Sequence, residues 1–335
     1  MDIPEDFLKA PPLPNATIKK LDFTKTTPPI PAYKNHFAAI IDNALTPAEC
    51  NQLLLLAEQS IAPKNTDDPD PGNTPWDRAL LNIGNGKQIK ATGFRNCGRI
   101  IYDSPDIADR LLNRLLPFLR ECDIVQISDQ PLVTGAGPAT RGETFKLTQL
   151  NEKLRFLKYT GGEYFRAHTD GCYVTPDERE RSLFTVHLYL NGEGEQDEGE
   201  LRRAIARRER VDARVSDDNS DWGVVFGDGN GDGDADEDIE SEVEKENIEG
   251  AREQTLLGGA TSFRLESFAG ERVVRVFPKA GSVLIFQQRG LCHAGDDVFR
   301  GVKSIRLSCV NVKSLDGQKG DKLSLKLILL FIYLY

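Results

Sequence analysis

Histidine is scarce in this chain: 335 residues carry four, His36, His168, His187 and His293. Any chemistry that needs imidazole must be built from these. The six cysteines, at 50, 97, 122, 172, 292 and 309, follow no regular spacing, which excludes a paired-cysteine zinc knuckle and offers no disulfide framework. A chain of this length can bury a core that needs no covalent staple. No stretch approaches the roughly 20 apolar residues of a membrane span; LSLKLILLFIYLY (323–335) is 13 residues long and interrupted by Lys326, so it is expected to be a tail and not a stable membrane anchor. The start, MDIPEDFLKAPP, lacks the basic and apolar regions of a secretory leader. An intracellular protein, cytoplasmic or nuclear, with reduced thiols is the expectation.

Concentrated positive charge is also missing. The net charge of −10 arises in one place: residues 217–249 hold 14 acidic residues against Lys245 alone, a local −13 that leaves the rest of the chain at +3. No basic patch remains to attract nucleic acid or a membrane surface. Inside the acidic stretch, DGNGDGDADEDI (228–239) imitates the spacing of a calcium loop, but its twelfth position is Ile239 where a bidentate Glu is required. A solvated, disordered loop is the expectation, spanning 192–257.

What is present divides into four regions. Residues 1–35 are rich in Pro, with little apolar periodicity, and are expected to form a disordered tail. Residues 36–146 read as a helical lead-in packed on a sheet. FAAIIDN (37–43) is a short strand, and Thr46-Pro47-Ala48-Glu49 is a capping box with Pro at the first helical position. A second helix starts at Ser104-Pro105 and carries Ile107, Leu111, Leu112, Leu115 and Leu116 on one stripe. From 147 to 312 short strand-like runs follow one another between Gly and Pro signals, which suggests an antiparallel sandwich or barrel. Residues 313–335 form a C-terminal tail. Helices first and strands after make an α+β chain.

His168 and Asp170 stand at i and i+2 in YTGGEYFRAHTDG, so an extended backbone sends both side chains from one face. They supply two legs of the 2-His-1-carboxylate arrangement that leaves open positions on Fe(II). The third leg must be a remote His, and His293, following the apolar run SVLIFQ, is the best remaining candidate. Taken alone, such a tripeptide is more often a surface feature. Lys303 shares a strand face with Ile305, Leu307 and Cys309, whereas Arg306 shares the other with Ser304 and Ser308, so loss of Arg306 is expected to disturb binding of a ligand at Lys303 only mildly. An apolar-side ammonium needs an anionic partner; the alternative is a Lys that snorkels outward from a strand start.

The ordered blocks LNEKLRFLKYTGGEYFRAHTDGCY, FTVHLYLN, GGATSF and FPKAGSVLIFQQRGLCHAGDDVFRGVKSIRL, with FAAIIDNALTPAEC and NCGRIIYDSPDIADRLL before them, resemble the prolyl 4-hydroxylase-like group of Fe(II)/2-oxoglutarate dioxygenases. The resemblance implies a double-stranded β-helix, or jelly roll, in which His168, Asp170 and His293 hold iron and Lys303 pairs with the distal carboxylate of 2-oxoglutarate. It also implies that Tyr159 and Tyr189 stand near the cosubstrate. His187, on one face with Thr185 and Tyr189, is then a pocket wall rather than a ligand. The implied reaction consumes O2 and 2-oxoglutarate, uses ascorbate as reductant, releases succinate and CO2, and hydroxylates a substrate, prolyl residues in a protein or peptide being the family's case. The competing reading is a non-catalytic interaction protein that displays its acidic loop to a basic partner. Three departures stand out: Ala260 where an acidic residue is common, the ending SCVNV after Lys303, and the 192–257 insert.

Overall fold

The computed structural model describes residues 3–61, 76–83, 87–137, 140–218, 255–268 and 270–315. The acidic stretch 219–254, with its calcium-loop imitation, and the apolar tail 316–335 lie outside the described residues. Among the described residues no helix is long and apolar enough to cross a membrane.

Eight strands between Lys153 and Ser314 wind through two facing sheets. The larger sheet runs Val283–Gln287, Glu180–Tyr189, Lys303–Ser314, Lys153–Tyr159, and the smaller Arg272–Val276, Thr261–Leu265, His293–Gly295, Tyr164–His168, all pairs antiparallel. Four strands in each sheet in this order are a double-stranded β-helix, a jelly roll closed enough to manage its own edges. The larger sheet extends outward through Ala38–Asp42 and Thr17–Lys20 on one side and through Gly98–Asp103 on the other. The run NCGRIIYD, assigned above to a helical lead-in, therefore ends as a strand of this sheet.

Two helices cover the outer face of the larger sheet. Pro47–Gln59 starts at a complete capping box, with the Thr46 hydroxyl accepting from the Glu49 amide and the Glu49 carboxylate accepting from the Thr46 amide. Pro105–Glu121 buries Ile107, Leu111, Leu115, Phe118 and Leu119. Both pack with Phe156, Val186, Leu188 and Val310 of the sheet into one apolar layer. A second layer, between the sheets, holds Leu157, Tyr159, Tyr189, Phe263, Phe286 and Ile305.

Two expectations are corrected. Residues 3–35 are not a disordered tail: Thr17–Lys20 adds a strand, and Phe23, Ile30 and Tyr33 are buried between the sheets, Phe23 meeting Phe263 edge-on at 5.1 Å. The physical reason is that a few large apolar side chains anchor a segment whose average composition looks extended. Within 192–257, Glu198–Asp218 is a helix and not a loop. Leu201 is buried and Glu200 is salt-bridged to Arg300. Arg306 lies, as expected, on the face opposite Lys303; the helices cover that face, so it is wholly buried, its guanidinium nitrogens have no hydrogen-bond partner among the described residues, and burial pushes its pKa down to about 9. Loss of Arg306 is therefore also a change in the core.

Candidate metal and cosubstrate site

The smaller sheet brings two of the four histidines together. His168 is the last residue of Tyr164–His168, His293 the first of His293–Gly295, and the two are direct cross-strand partners. Directly opposed antiparallel residues hold their Cβ atoms about 4.5–5.5 Å apart, and here the ring centroids are 4.4 Å apart. The strand stops at His168, so Asp170 lies two residues beyond it instead of within it, yet its carboxylate still swings between the rings. Asp170 Oδ1 is 3.6 Å from His168 Nε2 and Oδ2 is 3.6 Å from His293 Nε2. All three ligand atoms fall within 4.8 Å of one another.

Both rings are turned the same way. His168 Nδ1 lies 2.8 Å from the Arg166 carbonyl and His293 Nδ1 lies 3.2 Å from the Leu291 carbonyl. A carbonyl only accepts, so each Nδ1 carries the proton and each Nε2 offers its lone pair to the shared point. Burial also drives the His293 pKa down to about 4, which leaves the ring neutral as a ligand requires. Burial acts to raise the Asp170 pKa, but the adjoining histidines and the Thr185 hydroxyl outweigh it and hold the carboxyl well below its usual range. A divalent cation fits this donor set of two imidazole nitrogens and a carboxylate.

A polar relay fixes the carboxylate. The Tyr173 amide donates to Ser182 Oγ, which donates to Gln288 Oε1; Gln288 Nε2 donates to Thr185 Oγ1, and Thr185 donates to Asp170 Oδ2 at 2.5 Å. Ser182 and Gln288 escaped the sequence reading because nothing in their spacing links them to position 170. Thr185 was on the right face, and its alternation with His187 was the available signal.

From the triad a narrow pocket runs between the sheets, walled by Leu157, Ile305 and Leu307 and reaching Tyr159 and Lys303. Lys303 pairs in register with Tyr159, and its ammonium lies 5.0 Å from the centre of that ring. It is buried, no carboxylate among the described residues forms an ion pair with it, and desolvation lowers its pKa to about 8. Gly259 makes room for its stem. With φ at +67° it sits in the left-handed region, and a Cβ there would lie 3.2 Å from Lys303 Cδ.

Tyr189 is buried in this layer, and its hydroxyl donates to Thr261 Oγ1 at 2.8 Å. His187 lines the pocket without joining the triad. Its ring is 6.3 Å from that of His293, and burial pushes its pKa down to about 3. His36 lies apart from the triad, packed against Tyr33. All six cysteines are free. A larger cleft opens between the smaller sheet and the helix Glu198–Asp218, but its charges pair among themselves. Arg264 and Arg275 both reach Asp296 at 2.8 Å, and Arg166 reaches Asp297 at 2.8 Å.

No protein-family model and no curated protein matches the chain. Solved structures similar to it include the viral collagen prolyl hydroxylase of Paramecium Bursaria Chlorella virus-1 in its 2OG complex, at 15% identity and a TM-score of 0.37, covering 82% of this chain and 95% of that one. A Pseudomonas putida prolyl-4-hydroxylase is 14% identical with a TM-score of 0.35, covering 82% and 92%. HygX from Streptomyces hygroscopicus, with nickel and 2-oxoglutarate bound, is 11% identical with a TM-score of 0.34, covering 85% of each chain.

Proposed function

We propose that this chain is an Fe(II)- and 2-oxoglutarate-dependent dioxygenase that hydroxylates prolyl residues in a protein or peptide. One observation carries the dioxygenase reading: two imidazole lone pairs and one carboxylate converge at one end of a barrel pocket, and a buried ammonium with no ion pair among the described residues waits toward the other. An ion held on one side by three protein ligands keeps positions for a chelating cosubstrate and for O2. When bound, the metal supplies the redox chemistry that couples conversion of 2-oxoglutarate to succinate and CO2 with transfer of one O2 oxygen to the substrate, ascorbate serving to keep the iron reduced.

The chain's own residues do the rest. His168, Asp170 and His293 hold the metal, and the relay through Thr185 and Gln288 keeps the carboxylate aimed. Lys303 orients the cosubstrate by its distal charge, and the apolar walls exclude water. Phe94 and Phe165 support a cyclic, apolar target residue. They meet edge-on at 5.8 Å, Phe165 stacks on His168 at 3.7 Å, and Phe94 is half-exposed. The prolyl assignment itself follows from the sequence resemblance and is tested by mass spectrometry of hydroxylated peptides.

His168→Ala, Asp170→Ala and His293→Ala are each expected to abolish Mn(II) binding measured by electron paramagnetic resonance, and with it succinate formation from 2-oxoglutarate, whereas His36→Ala keeps both. Full succinate formation by His293→Ala would overturn the proposal.

A further inference from the structure

One buried polar atom of the pocket has no role in the function proposed above. His187 Nε2 is enclosed, has no hydrogen-bond partner among the described residues, and belongs to a ring that lines the pocket. Its other nitrogen is tied down. Tyr189 gives its hydroxyl proton to Thr261 Oγ1, that oxygen lies 3.4 Å from His187 Nδ1, and since no other acceptor for the Thr261 proton is found among the described residues we assign Nδ1 as its acceptor. With Nδ1 accepting, the ring proton resides on Nε2. A buried N–H without an acceptor is costly, and the ring that carries this one lines the pocket.

The sheet register says which part of a ligand it meets. Along the inward face of the larger sheet, Thr185 stands opposite Cys309, His187 opposite Leu307, Tyr189 opposite Ile305, and Tyr159 opposite Lys303. Same-face rows are about 6.6 Å apart along a strand. His187 is thus one row from the Thr185 that holds Asp170 and two rows from the Lys303 level.

We propose that His187 Nε2–H donates a hydrogen bond to the metal-side half of the bound 2-oxo acid, its 1-carboxylate or keto oxygen, which makes His187 a cosubstrate-binding residue that complements Lys303 at the opposite end. The Tyr189–Thr261 pair then acts by presetting the tautomer of His187 and not by touching the cosubstrate. This rests on the dioxygenase reading above. Lys303 selects for a second carboxylate, and His187 selects for the 2-oxo acid group as such.

The test is calorimetric titration of the Zn(II)-loaded protein with 2-oxoglutarate and, separately, with pyruvate, which keeps the 2-oxo acid group and lacks the distal carboxylate. Removing a hydrogen bond to a charged group should weaken binding about tenfold or more. His187→Leu is therefore expected to lose that factor for both ligands with Zn(II) affinity unchanged, His187→Gln to recover most of it, and Lys303→Met to lose affinity for 2-oxoglutarate alone. Wild-type affinity for both ligands in His187→Leu overturns the proposal, as does a loss confined to 2-oxoglutarate, which would put His187 at the distal end. Failure of the wild-type protein to bind 2-oxoglutarate overturns the underlying dioxygenase reading instead. A second measurement does not depend on the leucine variant folding. Nitrogen-15 NMR of the His187 ring in the wild-type Zn(II) protein should show the proton on Nε2 and a downfield shift of that proton when 2-oxoglutarate is added. A proton on Nδ1 overturns the proposal.

Discussion

Lys303 shows how one residue's environment sets the conditions under which the pocket works. Its ammonium is buried, and desolvation lowers the pKa from 10.5 to about 8. The folded, ligand-free protein therefore disfavours this proton relative to the unfolded chain. That penalty is fully present below pH 8 and is relieved as pH rises from about 8 toward 10.5. An anionic cosubstrate needs the protonated form, so affinity moves the opposite way. Titrations of the metal-loaded protein should show 2-oxoglutarate binding weakening as pH climbs through about 8, by up to about tenfold per unit. Lys303→Met should bind weakly at every pH, with this dependence gone, and should melt at a higher temperature than wild type when no ligand is present. An unchanged pH profile in Lys303→Met would assign the titration to another group.

At the scale of elements, the helix Glu198–Asp218 separates the insert into parts with different consequences. Its N-terminal turns are stitched to the barrel: Leu201 is buried, Glu200 bridges to Arg300, and Gln196 exchanges two hydrogen bonds with the backbone of Gly258. Gly258 adjoins the Gly259 that lets the Lys303 stem pass. Joining residue 218 to residue 255 by a short Gly/Ser linker should leave the melting temperature and succinate formation near wild type, because changing the length of a surface connection costs only about 0.6 kcal/mol per doubling. Replacing all of 195–255 in the same way should lower stability by about 2 kcal/mol, the burial of one Leu side chain. Parallel calorimetric melts of the two variants check this. Equal melting temperatures would mean that the helix contributes nothing to the barrel.

The whole molecule is a stack of helices, a large sheet and a small sheet, with the pocket between the sheets and the N-terminal segment wedged against one end. Phe23, Ile30 and Tyr33 belong to the same apolar layer as Tyr159, Phe263 and Ile305. Tyr33 also donates to the Arg264 carbonyl at 2.5 Å, holding the strand that bears Thr261. Deleting residues 1–35 removes five large buried side chains, Phe7, Leu8, Phe23, Ile30 and Tyr33, at about 1.5–3 kcal/mol each, a substantial share of the 5–15 kcal/mol that stabilises a typical domain. The truncated chain is expected to lose its cooperative melt, or to melt far lower and bind 2-oxoglutarate more weakly. A truncated chain with wild-type melting would show the segment to be dispensable.

Much of this architecture was legible one element at a time. The capping box at Thr46–Glu49, the stripe from Ile107 to Leu115 and the apolar runs after 147 are local patterns, and local hydrogen bonding and periodicity decide such elements wherever they pack. The pairing of His168 with Asp170 is local too, since only Thr169 separates them. The sequence alone did not determine that His293 lies directly across from His168, because sheet register is a property of two strands 125 positions apart. Nor did it reveal the relay of Ser182, Gln288 and Thr185, whose members meet only across the sheet. Composition pointed the wrong way for residues 3–35, where a few anchoring aromatics outweigh many prolines. Strand alternation separated Arg306 from Lys303 correctly, but period two tells only which residues share a face and cannot tell that helices cover that face. Tertiary structure decided these points because burial is a relation between elements, and no single element contains it.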